Sequence, residues 1–274
     1  MRLERSEVKI IFLLACIQFT HTVDFVLMMP LAPIFMKAFD IGPDKFSLLV
    51  SSYTWSSSIF GLLGALFVDR FDRKRTLLTC YGGFAFGTAL CAISSSVWML
   101  LGARTLAGAF AGLMISTVFS IVADIVPEVR RGTALGMVMA AFPLASLLGV
   151  PFGVYLANLF DWHAPFSVLA GASFIILIVM AFLIPPVRGH LSRQHHETSV
   201  QRLMHFVKNG RYYPGISFAF LLMLAAFTVI PFIAAYLTSN VGVPSDKIYL
   251  VYLCGGAFTF FSSQLIGRMV DQYG

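Results

Sequence analysis

Six stretches of this 274-residue chain run for 20 residues or more without one Asp, Glu, Lys or Arg: 46–68, 76–103, 132–160, 162–187, 212–245 and 248–267. A helix that crosses the hydrocarbon core of a bilayer needs roughly 20 mostly apolar residues. Each run is therefore long enough to cross once. The run 76–103 continues past Arg104 to Ala123, which allows two crossings with a turn at Ser94-Ser95-Ser96. The N-terminal stretch 10–36 is broken only by Asp24. The pattern predicts eight helices, over 9–33, 45–68, 76–94, 97–122, 132–158, 163–185, 213–238 and 246–270.

Hydrophobic residues make up 58% of the chain and charged ones 12%, half the charged share of an ordinary soluble domain. Lipid is the solvent that such a surface needs. Backbone groups in lipid have no water to bond, so spanning segments must be helices or closed barrels. The runs are long, continuous and without alternation, which excludes a barrel. The basic-then-apolar N-terminus has the look of a signal peptide. His21 and Asp24 interrupt its core, however, and no small-residue cleavage site follows, so it reads as a retained first helix.

Fifteen of the nineteen basic residues fall on one side of this arrangement, three (Lys37, Lys45, Lys247) on the other, and Arg104 lies within a helix. The positive-inside rule then predicts a multi-pass protein of a cytoplasmic (inner) membrane with its N-terminus in the cytoplasm. The net charge of +6 is accordingly topology information and implies no nucleic-acid partner. The four cysteines, at 16, 80, 91 and 254, lie in spans with no paired spacing, which argues against a metal or disulfide role. The chain holds no P-loop, no Gly-x-Ser-x-Gly and no His-Glu-x-x-His, so nothing points to an enzyme or to a bound cofactor.

The sequence also repeats itself. Asp69 and Asp271 lie 202 residues apart (271 minus 69), in Ala65-Leu-Phe-Val-Asp69 and Gly267-Arg-Met-Val-Asp271. Pro30 is followed thirteen positions on by Pro43-Asp44-Lys45, and Pro231 thirteen positions on by Pro244-Ser245-Asp246-Lys247. A repeat of this length changes the reading of a whole fold. It divides the chain into a six-helix N-terminal half (1–186), a basic linker (187–211) and the first two helices of a second half (212–274), with the second copy expected to be cut short.

Two charges lie deep in the predicted spans, Asp24 in the first helix and Arg104 in the fourth. Ionisable groups in lipid are costly, so they face a cavity and pair. Asp24 stands 15 residues after Lys9, roughly 22 Å along a helix, and Arg104 roughly 10 Å below the opposite turn. Both heights fall in the same half of a core roughly 30 Å thick. Gln18, His21 and Asp24 recur at three-residue intervals and form one polar face. A static salt bridge gluing two helices is the plain alternative to a functional pair. Small residues line the fourth and fifth helices: Ala103, Ala107 and Ala111 beside Gly108 and Gly112, and Ala141, Ala145, Gly149 and Gly153, with Pro151 between the two glycines. Such lines let helices approach closely, and Pro151 removes a backbone bond.

These residues resemble the major facilitator superfamily, whose members consist of two repeated six-helix halves, and in particular its proton-coupled drug and arabinose-type efflux branch. Asp69-Arg70-x-Asp72-Arg73-Lys74-Arg75 is similar to the family signature between helices 2 and 3, with Ala65 and Asp72 standing where Gly is usual. Leu100-x-x-x-Arg104-x-x-Ala107-Gly108 is similar to the helix-4 signature. Gly149-Val150-Pro151-Phe152-Gly153 resembles the helix-5 exporter signature, with Val150 in place of the usual Gly before proline.

The resemblance implies a secondary transporter working by alternating access, with the lipid bilayer, a small solute and protons as its partners and the proton gradient as its energy source. It implies that Asp24 and Arg104, with His21 and Gln18, couple protons to the solute. Asp69, Arg70, Arg73, Lys74, Asp124 and Asp271 would form a cytoplasmic gating latch, and Gly149, Pro151 and Gly153 a hinge in helix 5. Four further helices, 9 to 12, are expected to be needed for function. Deep amides are few (Gln18, Gln264, and Asn158 near a helix end), whereas aromatics such as Phe25, Tyr53, Trp55 and Phe142 abound. This balance favours export of a lipophilic or amphipathic solute. An importer or uniporter on the same fold, and a non-transporting truncated remnant, remain the alternatives.

Overall fold

The computed structural model describes residues 4–67, 71–185 and 209–258, together with Ser262. Its helices in chain order are α1 (Arg5–Leu27), α2 (Ala32–Phe39), α3 (Pro43–Phe67), α4 (Arg73–Ala92), α5 (Val97–Ile125), α6 (Glu128–Met139), α7 (Ala141–Leu144), α8 (Val150–Leu159), α9 (His163–Leu183), α10 (Tyr213–Val229) and α11 (Ile233–Ser239), followed by α12 (Ile248–Phe258). Five segments are long and apolar enough to cross a membrane: Glu7–Leu27, Val97–Ile125, Arg130–Leu159, His163–Leu183 and Tyr213–Ser239. Of the other three predicted crossings, α3 and α4 are helices of 25 and 20 residues. Their composition is less apolar, because α3 is rich in Ser and Thr and α4 opens on three cations. The last predicted helix is described only over Ile248–Phe258. All-helical architecture is what lipid demands of a multi-pass chain.

Local chemistry sets the helix ends and corrects several predicted ones. The first predicted helix, 9–33, divides at Met28-Met29-Pro30 into α1 and the short α2. Proline has no N–H and disfavours helix in the residue before it. Asp40, in the left-handed region at φ 49°, ends α2. Asp72 caps α4 by accepting the Lys74 N–H at 2.9 Å, so the acid at this position has a local structural use. Ser96 caps α5 through the Met99 N–H at 3.2 Å. Arg131 closes the other end of α5, donating to the carbonyls of Ala123 at 2.7 Å and Val126 at 3.1 Å.

The predicted helix 132–158 is not uniform. It comprises α6, α7, a π-helical segment over Ala145–Gly149, and α8, with Pro151 in the first turn of α8. The predicted helix 213–238 is likewise interrupted at Ile230–Phe232, where Pro231 sits in a 3-10 turn between α10 and α11.

In the N-terminal half α5 lies between α3 and α4, α4 also packs on α9, and α1 lies along α6 to α9 and touches α5. In lipid the drive for such contacts is close van der Waals fit, since lipid tails are as apolar as leucine. The small residues of α5 divide between two neighbours. A Cβ on Gly108 would collide with the Tyr53 carbonyl of α3, and one on Gly112 with the Ser57 carbonyl. On the other side, a Cβ on Gly87 of α4 would come within 2.8 Å of the Ala107 backbone. Two apolar cores result. One surrounds Leu14, Ile17, Phe84, Ala111 and Val118, and the other Leu27, Phe35, Phe46, Leu100 and Phe166. A belt of buried polar residues lies between them. By contrast α10 buries none of its residues.

Candidate functional site

The polar belt is built where α1, α3, α4 and α5 meet. Asp24 and Arg104 pair there as the sequence predicts. Arg104 Nη1 lies 2.7 Å from Asp24 Oδ2, and the side chains are 0% and 1% exposed for Asp24 and Arg104 respectively. The same nitrogen approaches the Asp24 carbonyl at 3.4 Å. Thr88 of α4 donates to the other carboxylate oxygen, Oδ1, at 3.3 Å. The carboxylate is thus held from two helices, by a cation on one oxygen and a hydroxyl on the other. A buried charge is tolerable only when paired and bonded in this way.

Tyr53 forms the floor of the pair. The Arg104 guanidinium carbon stands 4.3 Å from the centre of the Tyr53 ring, within cation–π range. The backbone explains this placement. Gly108, one turn after Arg104, lets the Tyr53 backbone press against α5, and Ser56 ties the same seam by donating to the Thr105 carbonyl at 2.6 Å. Phe25 packs on Tyr53 with ring centres 5.5 Å apart and on Phe227 of α10 at 5.7 Å.

Around the pair several polar atoms lack partners. Gln18 Oε1, His21 Nδ1, Tyr53 Oη and Arg104 Nε are buried and have no hydrogen-bond partner among the described residues. His21 sits between the Tyr53 and Phe84 rings, at 6.2 Å and 6.0 Å. Leaving one such atom unbonded costs about 1–3 kcal/mol, so each is a place where water or a solute group gains a hydrogen bond. The belt offers both donors and acceptors. Next to it, Thr20 and Tyr81 share a hydrogen bond at 3.0 Å.

The predicted latch is partly visible. Arg73, in the first turn of α4, meets Asp124 near the end of α5, with Nε 3.3 Å from Oδ2. Lys74 follows in the same turn, and its backbone N–H is the one capped by Asp72. Asp69, Arg70 and Asp271 lie outside the described residues, as does most of the predicted linker. A neighbouring network at the same end joins Arg130 of α6 to Glu4 at 3.5 Å and Glu7 at 3.2 Å. It ties the start of α1 to the turn after α5, and it was not anticipated from the sequence.

The predicted hinge residues sit at an irregular part of the backbone, but the two glycines face α1 within their own half. A Cβ on Gly149 would strike Val23, and one on Gly153 would come within 2.5 Å of Leu27. The close approach to α12 is made two residues before Gly149, where a Cβ on Gly256 would lie 2.7 Å from the Leu147 backbone. Of the aromatic candidates, Phe25 and Tyr53 pack at the belt, whereas Trp55 and Phe142 are exposed, Trp55 lining a cavity with Phe227 and Phe232. Gln264 is outside the described residues.

Known proteins resemble this chain in sequence and in fold. The chain is 36% identical over 152 residues to the vacuolar membrane amino acid uptake transporter fnx2 of Schizosaccharomyces pombe, covering 56% of this chain and 26% of that one. It is 31% identical over 166 residues to a Helicobacter pylori (strain J99) protein named "Probable sugar efflux transporter", covering 60% and 42%. The chain therefore spans less than half the length of either relative. The fold matches the inward-facing crystal structure of a bacterial homolog of the human lysosomal transporter Spinster with a TM-score of 0.77 at 18% identity, over 99% of this chain and 64% of that one. The family model described as Major Facilitator Superfamily matches residues 14–274, and the chain belongs to that family.

Proposed function

We propose that the whole protein is a secondary transporter that exchanges protons for a small lipophilic or amphipathic organic solute, exporting it by alternating access. The observation that carries this reading is the buried Asp24–Arg104 pair at 2.7 Å, set in a belt of unbonded polar atoms between two apolar cores. A carboxylate beside an arginine changes its proton affinity whenever the separation or the hydration of the pair changes. Protonation of Asp24 weakens its hold on Arg104 and frees donors for a solute. Deprotonation restores the pair and returns those donors to the carboxylate. His21 and Gln18, on the same face of α1, supply further bonding groups along the path.

The basic residues support a cytoplasmic N-terminus in an inner membrane. On that side Arg73 and Asp124, with Asp69, Arg70, Lys74 and Asp271, would make and break a charge latch between conformations. The π segment over Ala145–Gly149 before Pro151 supports a role for this helix in the movement, since π segments occur frequently at functional sites. Aromatic packing by Phe25, Tyr53 and Phe227 favours an apolar solute surface. Import is the second reading. It is favoured by Val150, which departs from the exporter pattern, and by the fission-yeast relative, which is named for uptake.

The test uses the full-length protein in sealed vesicles. Asp24→Asn keeps the shape of the side chain but cannot titrate, so transport driven by a pH gradient should be lost while the protein still inserts. Unchanged gradient-driven transport in Asp24→Asn overturns the proton-coupling reading.

A further inference from the structure

We propose that Tyr53 is a positioning residue that seats Arg104 by its ring face and keeps the guanidinium in place when Asp24 is neutral. The inference rests on the proposed proton exchange at Asp24 and adds a part that this exchange requires. Once Asp24 takes a proton, Arg104 is a cation with 1% exposure and no anionic partner. An unpaired arginine at such depth is costly, and it would leave its position unless something else held it.

The structure places one such holder. The Tyr53 ring centre is 4.3 Å from the guanidinium carbon, and the ring itself is 2% exposed. Desolvation strengthens a cation–π contact. The contact is built into the backbone, because Gly108 admits the Tyr53 main chain against α5 one turn from Arg104 and Ser56 fastens the seam to Thr105 at 2.6 Å. Phe25 backs the ring at 5.5 Å. The Tyr53 hydroxyl has no partner among the described residues, so hydrogen bonding does not account for the orientation of the ring.

The electrostatics make the seat state-dependent. While Asp24 is charged, its carboxylate 2.7 Å from Arg104 offsets the charge of the cation that the ring faces at 4.3 Å. With Asp24 neutral that offset vanishes and the ring faces a lone cation. Tyr53 therefore holds Arg104 more strongly in the protonated state than in the charged one. Arg104 Nε, which has no hydrogen-bond partner among the described residues, then remains available to a solute acceptor.

Replacing Tyr53 by phenylalanines of increasing fluorination weakens the ring face stepwise at nearly constant shape. The readout is the unfolding equilibrium of the full-length protein in detergent, in wild-type and Asp24→Asn backgrounds, the latter standing for protonated Asp24. Across the series the unfolding constant should rise roughly thirtyfold in the Asp24→Asn background, the size of a desolvated cation–π contact, and less than about threefold in the wild type. Tyr53→Trp should hold and Tyr53→Leu should lose the seat. Should Tyr53→Leu fail to fold, the fluorinated series still decides. Equal slopes in the two backgrounds, or a slope that persists in Asp24→Asn/Arg104→Gln where no cation remains, would assign Tyr53 to packing and overturn the proposal. The proton-coupling reading fails separately, by gradient-driven transport surviving in Asp24→Asn, whatever the fluorinated series gives.

Discussion

Among the described residues, two Arg–Asp pairs fasten α5 to its neighbours by different physics, one to α1 and one to α4. Arg104 and Asp24 meet at 2.7 Å with almost no exposure, backed by Thr88 and the Tyr53 ring. Arg73 and Asp124 meet at 3.3 Å where α4 starts and α5 ends, and their side chains are 7% and 20% exposed. In the first, each charge depends on the other, because neither has water to fall back on. In the second, solvent and neighbouring charges are at hand. A pair of the first kind is sensitive to protonation of its acid, whereas one of the second kind is easily made and broken. These are the two properties that a coupling site and a latch need.

The largest effect should come from breaking the inner pair on one side. Arg104→Ala leaves Asp24 buried and unpaired, at a cost of about 3–5 kcal/mol, which chemical unfolding in detergent would register. The charge-free Asp24→Asn/Arg104→Gln protein should recover most of that loss. If the single variant costs no more than the double one, the pair is not mutually dependent and the contrast collapses.

A smaller effect should follow from moving α5, which carries Arg104 of the inner pair, against α3. Gly112→Leu drives a side chain into the Ser57 carbonyl of α3, whereas a Cβ at Gly102, on the same helix, meets nothing within 4 Å. Overpacking of this kind costs about 1–3 kcal/mol, so Gly112→Leu should lower the thermal midpoint and Gly102→Leu should leave it within a degree or two. Equal effects at both positions would show that helix propensity, not the seam between α3 and α5, sets the cost.

The smallest effect belongs to the outer pair. Arg73→Ala should cost less than Arg104→Ala, because the Asp124 side chain stays 20% exposed and keeps water when its partner is gone. Molar salt should shrink the difference from wild type only modestly, since partly buried pairs are screened less than exposed ones. The loss in Arg104→Ala should be insensitive to salt. Equal salt dependence at both sites would erase the distinction between them.

Much of this was legible in the residues. Asp24 and Arg104 stood out because a charge inside an apolar run is rare and costly, and their heights along two helices matched. Arg73 and Asp124 came from a resemblance and are met in space. Thr88, Tyr53 as a seat for arginine, and the Glu7–Arg130 contact carried no such signal, since a hydroxyl or a tyrosine in an apolar run looks the same whether it faces lipid or a carboxylate. Trp55 and Phe142 show the same limit from the other side, because both read as candidates and both are exposed rather than buried beside Arg104. Sequence periodicity gives which residues share a face, but not which neighbour that face meets.

What the sequence determined by itself is the solvent of this protein and its element type. Long uncharged runs require lipid, lipid requires internally bonded backbone, and that requirement gives helices with proline and capping residues at their ends. Only the tertiary structure decided which helix each small residue serves. Ala107 meets Gly87 on α4, Gly108 and Gly112 admit α3, and Gly149 and Gly153 admit α1 rather than another half. The physical reason is that close packing is a property of pairs of surfaces. A glycine states that something comes near, and only the partner's shape says what.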